Sequence, residues 1–249
     1  MPGLPIIALD DLAIGYAPYD WPFAAARRDE IAAHFAKSRR SATAMWNGCI
    51  LLMRDQTIGD ATLRGTFFAT DYANFLAWRD WDCPDRTIIN CFAMGALRAS
   101  DGAYLMGVMG DRTASPRRIY FPAGTPDLDD VRGEAVDLLG NVFREVAEET
   151  GLMPEEYIVA DGWTAVIAGP RIALMKPIEV SRPADELRQA IRRHLATEAA
   201  PELSDIRIVR SASDFDPMMP DFVTAYLSHV WGGGVERSAQ QRRSGRSPG

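Results

Sequence analysis

The stretch Arg144–Leu152, REVAEETGL, constrains this chain most, because it puts three carboxylates on one side of a helix just before a glycine. Glu145, Glu148 and Glu149 stand at i, i+3 and i+4, so they share an arc of roughly 100°. Leu139, Val142, Phe143, Val146 and Ala147 occupy the adjoining arc. The helix therefore has an apolar side to bury, with the acids at its edge. Gly151 is the expected helix stop, which leaves Glu148 and Glu149 in a last turn already made negative by free carbonyls, at about 0.3–1 kcal/mol each. Shielded from water, two such carboxylates about 5 Å apart repel by about 3 kcal/mol at an effective dielectric of 20. A divalent cation removes that penalty. Clustered carboxylates suit the hard ions Mg²⁺ or Mn²⁺, which bind phosphate oxygens and activate water. The competing interpretation is a solvated amphipathic helix, in which exposed like-charge pairs cost only about 0.2–0.5 kcal/mol.

Arg144–Leu152 resembles the second half of the Nudix box, R-E-U-x-E-E-x-G-U with U aliphatic, at all nine positions. At ordinary residue frequencies such a match arises by chance about once in tens of thousands of chains of this length. The first half departs from the pattern. The family has a Gly, five spacers, a Glu and seven spacers before the Arg, and the Gly in matching context, Gly124 in FPAGTPD, lies six residues too far upstream. Val136 stands where counting back from Arg144 places the first box Glu. The loop TPDLDDVRGEAVD is thus an expanded version, in which Glu134 or Asp137 is available for that role. Asp137 is equally well placed as a helix N-cap.

The 249 residues, 47% of them hydrophobic, suffice for one large domain or a core with an appended subdomain. The formal charge is −7, and the segment Glu236–Gly249 holds four arginines against one glutamate, which leaves −10 on residues 1–235. Such a body disfavours nucleic-acid backbones as partners. Three cysteines, Cys49, Cys83 and Cys91, are odd in number and lack paired metal-ligand spacing, which fits packing in a reduced, cytoplasmic setting. No apolar run approaches 18 residues, and no basic segment precedes PIIAL, so neither a membrane span nor a signal peptide is expected.

Along the chain, the pattern predicts an amphipathic helix from Pro22 with Ile31 and Phe35 inward, and strands over Asn47–Met53 and Ala61–Ala69 joined by a turn at Gly59 and Asp60. DYANFLAWRDW predicts a helix whose aromatics, Trp78 among them, serve either as core or as a wall that stacks a base or sugar. A hairpin turning at Ser100–Gly102 leads to RTASPRR, where Arg112, Arg117 and Arg118 can grip phosphate or stay solvated. Strands are expected over Tyr157–Ile167, Arg171–Val180 and Ile206–Arg210, with helices over Ala184–Thr197 and Pro220–Trp231. The Gly-, Ser- and Arg-rich residues 232–249 read as a disordered tail. The three histidines match no ligand motif.

The resemblance covers roughly Asn90–Arg210 and implies a Nudix α/β/α sandwich with a mixed sheet. The expected organisation is an extension over residues 1–85 packed on the core, a Nudix domain over 86–231, and the tail. It also implies Mg²⁺- or Mn²⁺-dependent hydrolysis of a nucleoside diphosphate linked to another moiety. Glu148 and Glu149 would be the main metal ligands, with Glu145 a further one and the Gly124 carbonyl an additional donor. Arg144 would hold Glu148 by an i, i+4 charged pair, and Glu202, in APELSD, is a candidate general base. Arg112, Arg118 and Trp78 are the candidate substrate contacts. The markers of the NADH, adenosine-diphosphoribose and dinucleoside-polyphosphate branches are absent, and the N-terminal extension is loosely similar to that of nucleoside diphosphate sugar pyrophosphatases. A coenzyme A pyrophosphatase and a non-catalytic ligand-binding module are the alternatives. The expected partner is a small nucleotide-derived molecule, with no nucleic acid and no membrane, and a homodimer stays open.

Overall fold

The computed structural model describes residues 3–41, 46–111, 113 and 115–233. Arg112, and the predicted tail from residue 234 onward, lie outside the described residues. The chain opens with β1 (Ile6–Leu9), β2 (Asp11–Tyr16), α1 (Pro22–Ala26), α2 (Arg28–Ser41), β3 (Cys49–Gly59), β4 (Thr62–Asp71) and α3 (Tyr72–Asp80). It continues through β5 (Asn90–Ala99), β6 (Tyr104–Met109), β7 (Ile119–Tyr120), β8 (Val131–Arg132), β9 (Ala135–Val136) and α4 (Leu138–Thr150). The last elements are β10 (Tyr157–Val159), β11 (Trp163–Ala168), β12 (Arg171–Val180), α5 (Ala184–Leu195), β13 (Leu203–Val209) and α6 (Asp221–Trp231).

The larger sheet runs β1-β11-β12-β5-β6-β13, with β10 on β12 and β7 on β6. It is mixed, since β12 and β5 pair in parallel while β11 pairs with β12 and β13 with β6 antiparallel. Because side chains alternate along a strand, its two faces feed different cores. Cys91, Ala93 and Leu97 of β5 pack with Val142 and Val146 of α4 and Leu187 and Ile191 of α5. Met94 and Ala96 point the other way, to Phe222, Val223 and Tyr226 of α6. Helices thus cover both faces, giving the expected α/β/α sandwich. Among the described residues no helix is long and apolar enough to cross a membrane.

A second sheet, β3-β4-β2-β9-β8, leans on this sandwich. Leu51, Met53, Leu63 and Phe67 join the α4-side core, while Ile50, Leu52 and Phe68 face Trp21 and Trp78 on the opposite side. The two sheets draw strands from both sides of residue 85. β1 pairs with β11 from Ile6↔Val166 to Leu9↔Trp163, and β9 joins β2 at Gly15↔Ala135. The loop before α4 therefore contains the β8–β9 hairpin, tied to the second sheet by the Tyr16 N–H on the Glu134 carbonyl at 2.8 Å.

Local departures from the sequence pattern have local causes. The helix predicted from Pro22 breaks at Arg27 into α1 and α2, with Ile31 and Phe35 buried as expected. The strand predicted over Tyr157–Ile167 divides at Gly162, whose φ of 69° ends the extended run and whose absent Cβ leaves room for the Leu9 carbonyl. Cys83 and Cys91 are buried packing residues, while Cys49 is half-buried.

Candidate active site

The acidic helix α4 begins where Asp137 caps it, its Oδ1 accepting the Gly140 N–H at 2.8 Å. It ends at Gly151, whose φ of 71° only glycine adopts without cost and whose N–H bonds the Ala147 carbonyl. Gly95 of β5 lets α4 lie close on the sheet, since a Cβ there would stand 2.7 Å from Val146. Glu145 and Glu149, one turn apart, are 8% and 6% exposed, whereas Glu148 faces solvent. The three acids do not share one environment: two are inside and one is at the mouth.

Burial has consequences for both inner acids. Desolvation pushes the Glu145 carboxyl up to about 7 against the pull of Arg144, with Glu148, Glu202 and Asp130 adding repulsion. Glu149 is raised well above the carboxylate range by burial and by Glu145 and Glu202, opposed in part by a bond from the Ala123 backbone. Its Oε1 is buried with no hydrogen-bond partner in the protein. An ionised carboxylate with an orphaned oxygen costs several kcal/mol in such a place.

Arg144 makes the expected i, i+4 ion pair with Glu148, but it bonds Glu145 and Asp130 more closely. Its Nη1 lies 2.6 Å from Glu145 Oε1 and 3.8 Å from Glu148 Oε2, while Nη2 lies 3.3 Å from Asp130 Oδ1. Asp130 is 3% exposed and also accepts from Asn141 Nδ2 at 2.9 Å and from the Asp127 N–H at 3.1 Å. Sequence reasoning missed this residue by counting back from Arg144. Counting forward from Gly124, five spacers lead to Asp130, so the six extra residues fall after it and form the β8–β9 hairpin. Glu134 is exposed in that hairpin, away from the cleft, and Asp137 is spent on the helix cap.

A cleft of 1390 Å³ opens over α4. Gly124, Arg144, Glu145 and Glu148 line it, together with Glu202 and Ser204 and with Tyr72, Phe75 and Arg79 of α3. Glu202 comes close enough to act electrostatically on Glu145, Glu149 and Tyr120. Arg118 also lines the cleft, and among the described residues it has no carboxylate partner. Trp78 does not reach the cleft. It is 1% exposed in the core beside Trp21 and Phe68, and its indole N–H bonds the Asp85 carbonyl at 2.9 Å. The physical reason is helical phase: Tyr72, Phe75 and Arg79 share the outward face of α3, and Trp78 falls on the inward one with Leu76 and Ala77.

Among the described residues, no three His, Cys, Asp or Glu side chains already form a group that could hold a metal ion. The donor chemistry nevertheless fits a hard cation. Two buried carboxyls repel each other, one oxygen has no partner, and Gly124 sits so close that a Cβ would stand 2.0 Å from Glu145 Oε1.

No protein-family model matches the chain, and no curated protein matches it. Solved structures that it resembles include a Nudix hydrolase, RenU, from M. smegmatis, at 16% identity over 58% of this chain and 84% of that one, with a TM-score of 0.38. A C. elegans Ap4A hydrolase matches at 15% identity over 57% of this chain and 98% of that one, with a TM-score of 0.38. The Bacillus subtilis pyrophosphohydrolase BsRppH matches at 12% identity over 59% and 81%, with a TM-score of 0.36.

Proposed function

We propose that this chain is a Nudix-type, Mg²⁺- or Mn²⁺-dependent hydrolase that cleaves the pyrophosphate of a nucleoside diphosphate joined to another moiety, foremost a sugar. The observation that carries the reading is the buried Glu145–Glu149 pair inside an intact R-E-U-x-E-E-x-G-U segment, with Glu145 beside Gly124 and lining the cleft. Two acids held at this cost without a cation make a poor structural core and a good ligand set.

Glu145, Glu149 and the Gly124 carbonyl would hold the metal from within, and Glu148 from the cleft side. When bound, the ion would neutralise charge on the diphosphate and lower the pKa of water. Asp130 restrains Arg144, and Arg144 in turn orients Glu145. Arg118, exposed and lining the cleft, would take a phosphate oxygen. Glu202, which lines the same cleft, would accept the proton of the attacking water. The cleft volume of 1390 Å³ exceeds the usual range for a small-molecule site, room enough for a two-part substrate.

The test is a panel of nucleoside diphosphate sugars, adenosine diphosphoribose, NADH, coenzyme A and nucleoside triphosphates, assayed with Mg²⁺ or Mn²⁺ and a coupled phosphatase. Cleavage of diphosphate-linked compounds ahead of triphosphates is expected. Titrating metal alone while following Tm reads the site without turnover, and a rise is expected. Hydrolysis of nothing, together with a ligand-dependent Tm shift, would replace this reading with the binding module.

A further inference from the structure

We propose that the strip Trp46, Tyr72 and Phe75 is the seat of the substrate's nucleobase, so that the base is read by the N-terminal region and not by the acid-bearing core. The inference rests on the hydrolase reading for its ligand class and on separate residues for its evidence. Tyr72 and Phe75 stand one turn apart on the cleft face of α3, their ring centroids 5.8 Å apart. Arg79, one further turn along, holds its guanidinium 5.7 Å from the Phe75 ring centroid. Trp46 is the largest exposed aromatic among the described residues, at 65%, and it lines the same cleft. Its segment is fixed to the start of α3. The Gly48 carbonyl accepts the Tyr72 N–H at 2.9 Å, and Asn47 Oδ1 accepts the Ala73 N–H at 2.8 Å.

The chemistry of the strip selects a planar heteroaromatic group. Three rings and a stacked guanidinium offer π faces on which a base stacks irrespective of its sequence of donors. The flat rings match the faces of a planar base better than the puckered ring of a sugar, while Trp46 Nε1, the Tyr72 hydroxyl and the Arg79 guanidinium supply polar atoms around them. The strip is continuous with the cleft that reaches Glu145 and Glu148, which allows one molecule to lay its base on α3 and its diphosphate at α4.

The test is calorimetric affinity for adenosine diphosphate, uridine diphosphate and inorganic pyrophosphate, each with Mg²⁺, in wild type, Trp46→Leu and Phe75→Leu. Leucine keeps apolar bulk and removes the ring, so a merely structural role would leave affinities unchanged. Both nucleotides should bind at least about ten-fold more tightly than pyrophosphate to the wild type. In the variants that advantage should shrink to under about three-fold, with pyrophosphate affinity unaltered. Should Phe75→Leu fail to fold, the exposed Trp46 still carries the comparison. Pyrophosphate binding as tightly as the nucleotides, no binding of any probe, or full retention of the advantage in the variants overturns the proposal. Ring-dependent nucleotide binding by a chain that hydrolyses nothing would uphold the seat and remove the hydrolase reading.

Discussion

Gly124 and Glu145 are in contact across the cleft floor: a Cβ on Gly124 would lie 2.0 Å from Glu145 Oε1 and 2.3 Å from its Cδ. Gly124 does not occupy the left-handed region, so alanine is conformationally acceptable there and would act through space alone. Gly124→Ala should therefore displace the Glu145 carboxylate while leaving Tm nearly unchanged. We expect kcat/KM to fall by about 10², the scale of a catalytic group moved by about 1 Å. Wild-type kinetics in this variant would show that Glu145 is not needed where it stands.

Glu149→Gln separates stability from activity. It removes the charge from a buried group with an orphaned oxygen, so the metal-free variant should melt higher than wild type at pH 8. On whichever substrate the panel identifies, turnover should fall by at least about 10² for this variant and for Glu148→Gln, because each weakens the metal site while keeping shape. Near wild-type turnover in both would exclude them from the mechanism.

The pH dependence of the metal-free protein follows from Glu145. Its folded pKa of about 7 lies above the ordinary 4.5, so between those values the unfolded chain has lost its proton while the folded one retains it. Stability is thus highest below about pH 4.5 with respect to this group and falls as pH rises through about 7, by about 3 kcal/mol in all. Urea unfolding in EDTA at pH 5.5 and 8 reads the drop, and Glu145→Gln should lessen it, the remainder coming from buried Glu149, whose raised carboxyl acts with the same sign. Added Mg²⁺ should stabilise most at pH 8, where the carboxylates are ionised. Asp205, held below its ordinary value by a bidentate bond from Arg192, contributes with the opposite sign, losing its stabilisation only as pH falls through the acid range.

Asp130 and Arg144 should behave as a unit. Asp130→Asn removes the charged partner of Arg144 Nη2, leaving Glu145 and Glu148 on the guanidinium's other nitrogen, and is expected to cost about 1–3 kcal/mol. In a double-mutant cycle with Arg144→Met, chemical denaturation should give a coupling of at least about 0.5 kcal/mol. Additivity within about 0.3 kcal/mol would mean that the 3.3 Å contact holds nothing in place.

What the sequence determined by itself is local. The 3.6-residue period, the Asp137 cap and the Gly151 stop define α4 and its acids, because capping and periodicity act within one or two turns. Alternation of apolar residues likewise marked the strands of the large sheet. What only the tertiary structure decided depends on contacts distant in the chain. Periodicity ranks Glu145, Glu148 and Glu149 alike, and it is the packing of the folded chain around α4, Gly124 against Glu145 included, that buries two of them and leaves the third in water. The α3 face that meets the cleft is set by packing of Trp78 against Trp21 and Phe68, which sequence spacing does not encode. Asp130 was legible from Gly124 but not from Arg144, because six inserted residues leave the helix as a hairpin and pair with a strand more than a hundred residues earlier. Pairing of that kind is fixed by the sheet edge that receives it, and no local pattern announces it.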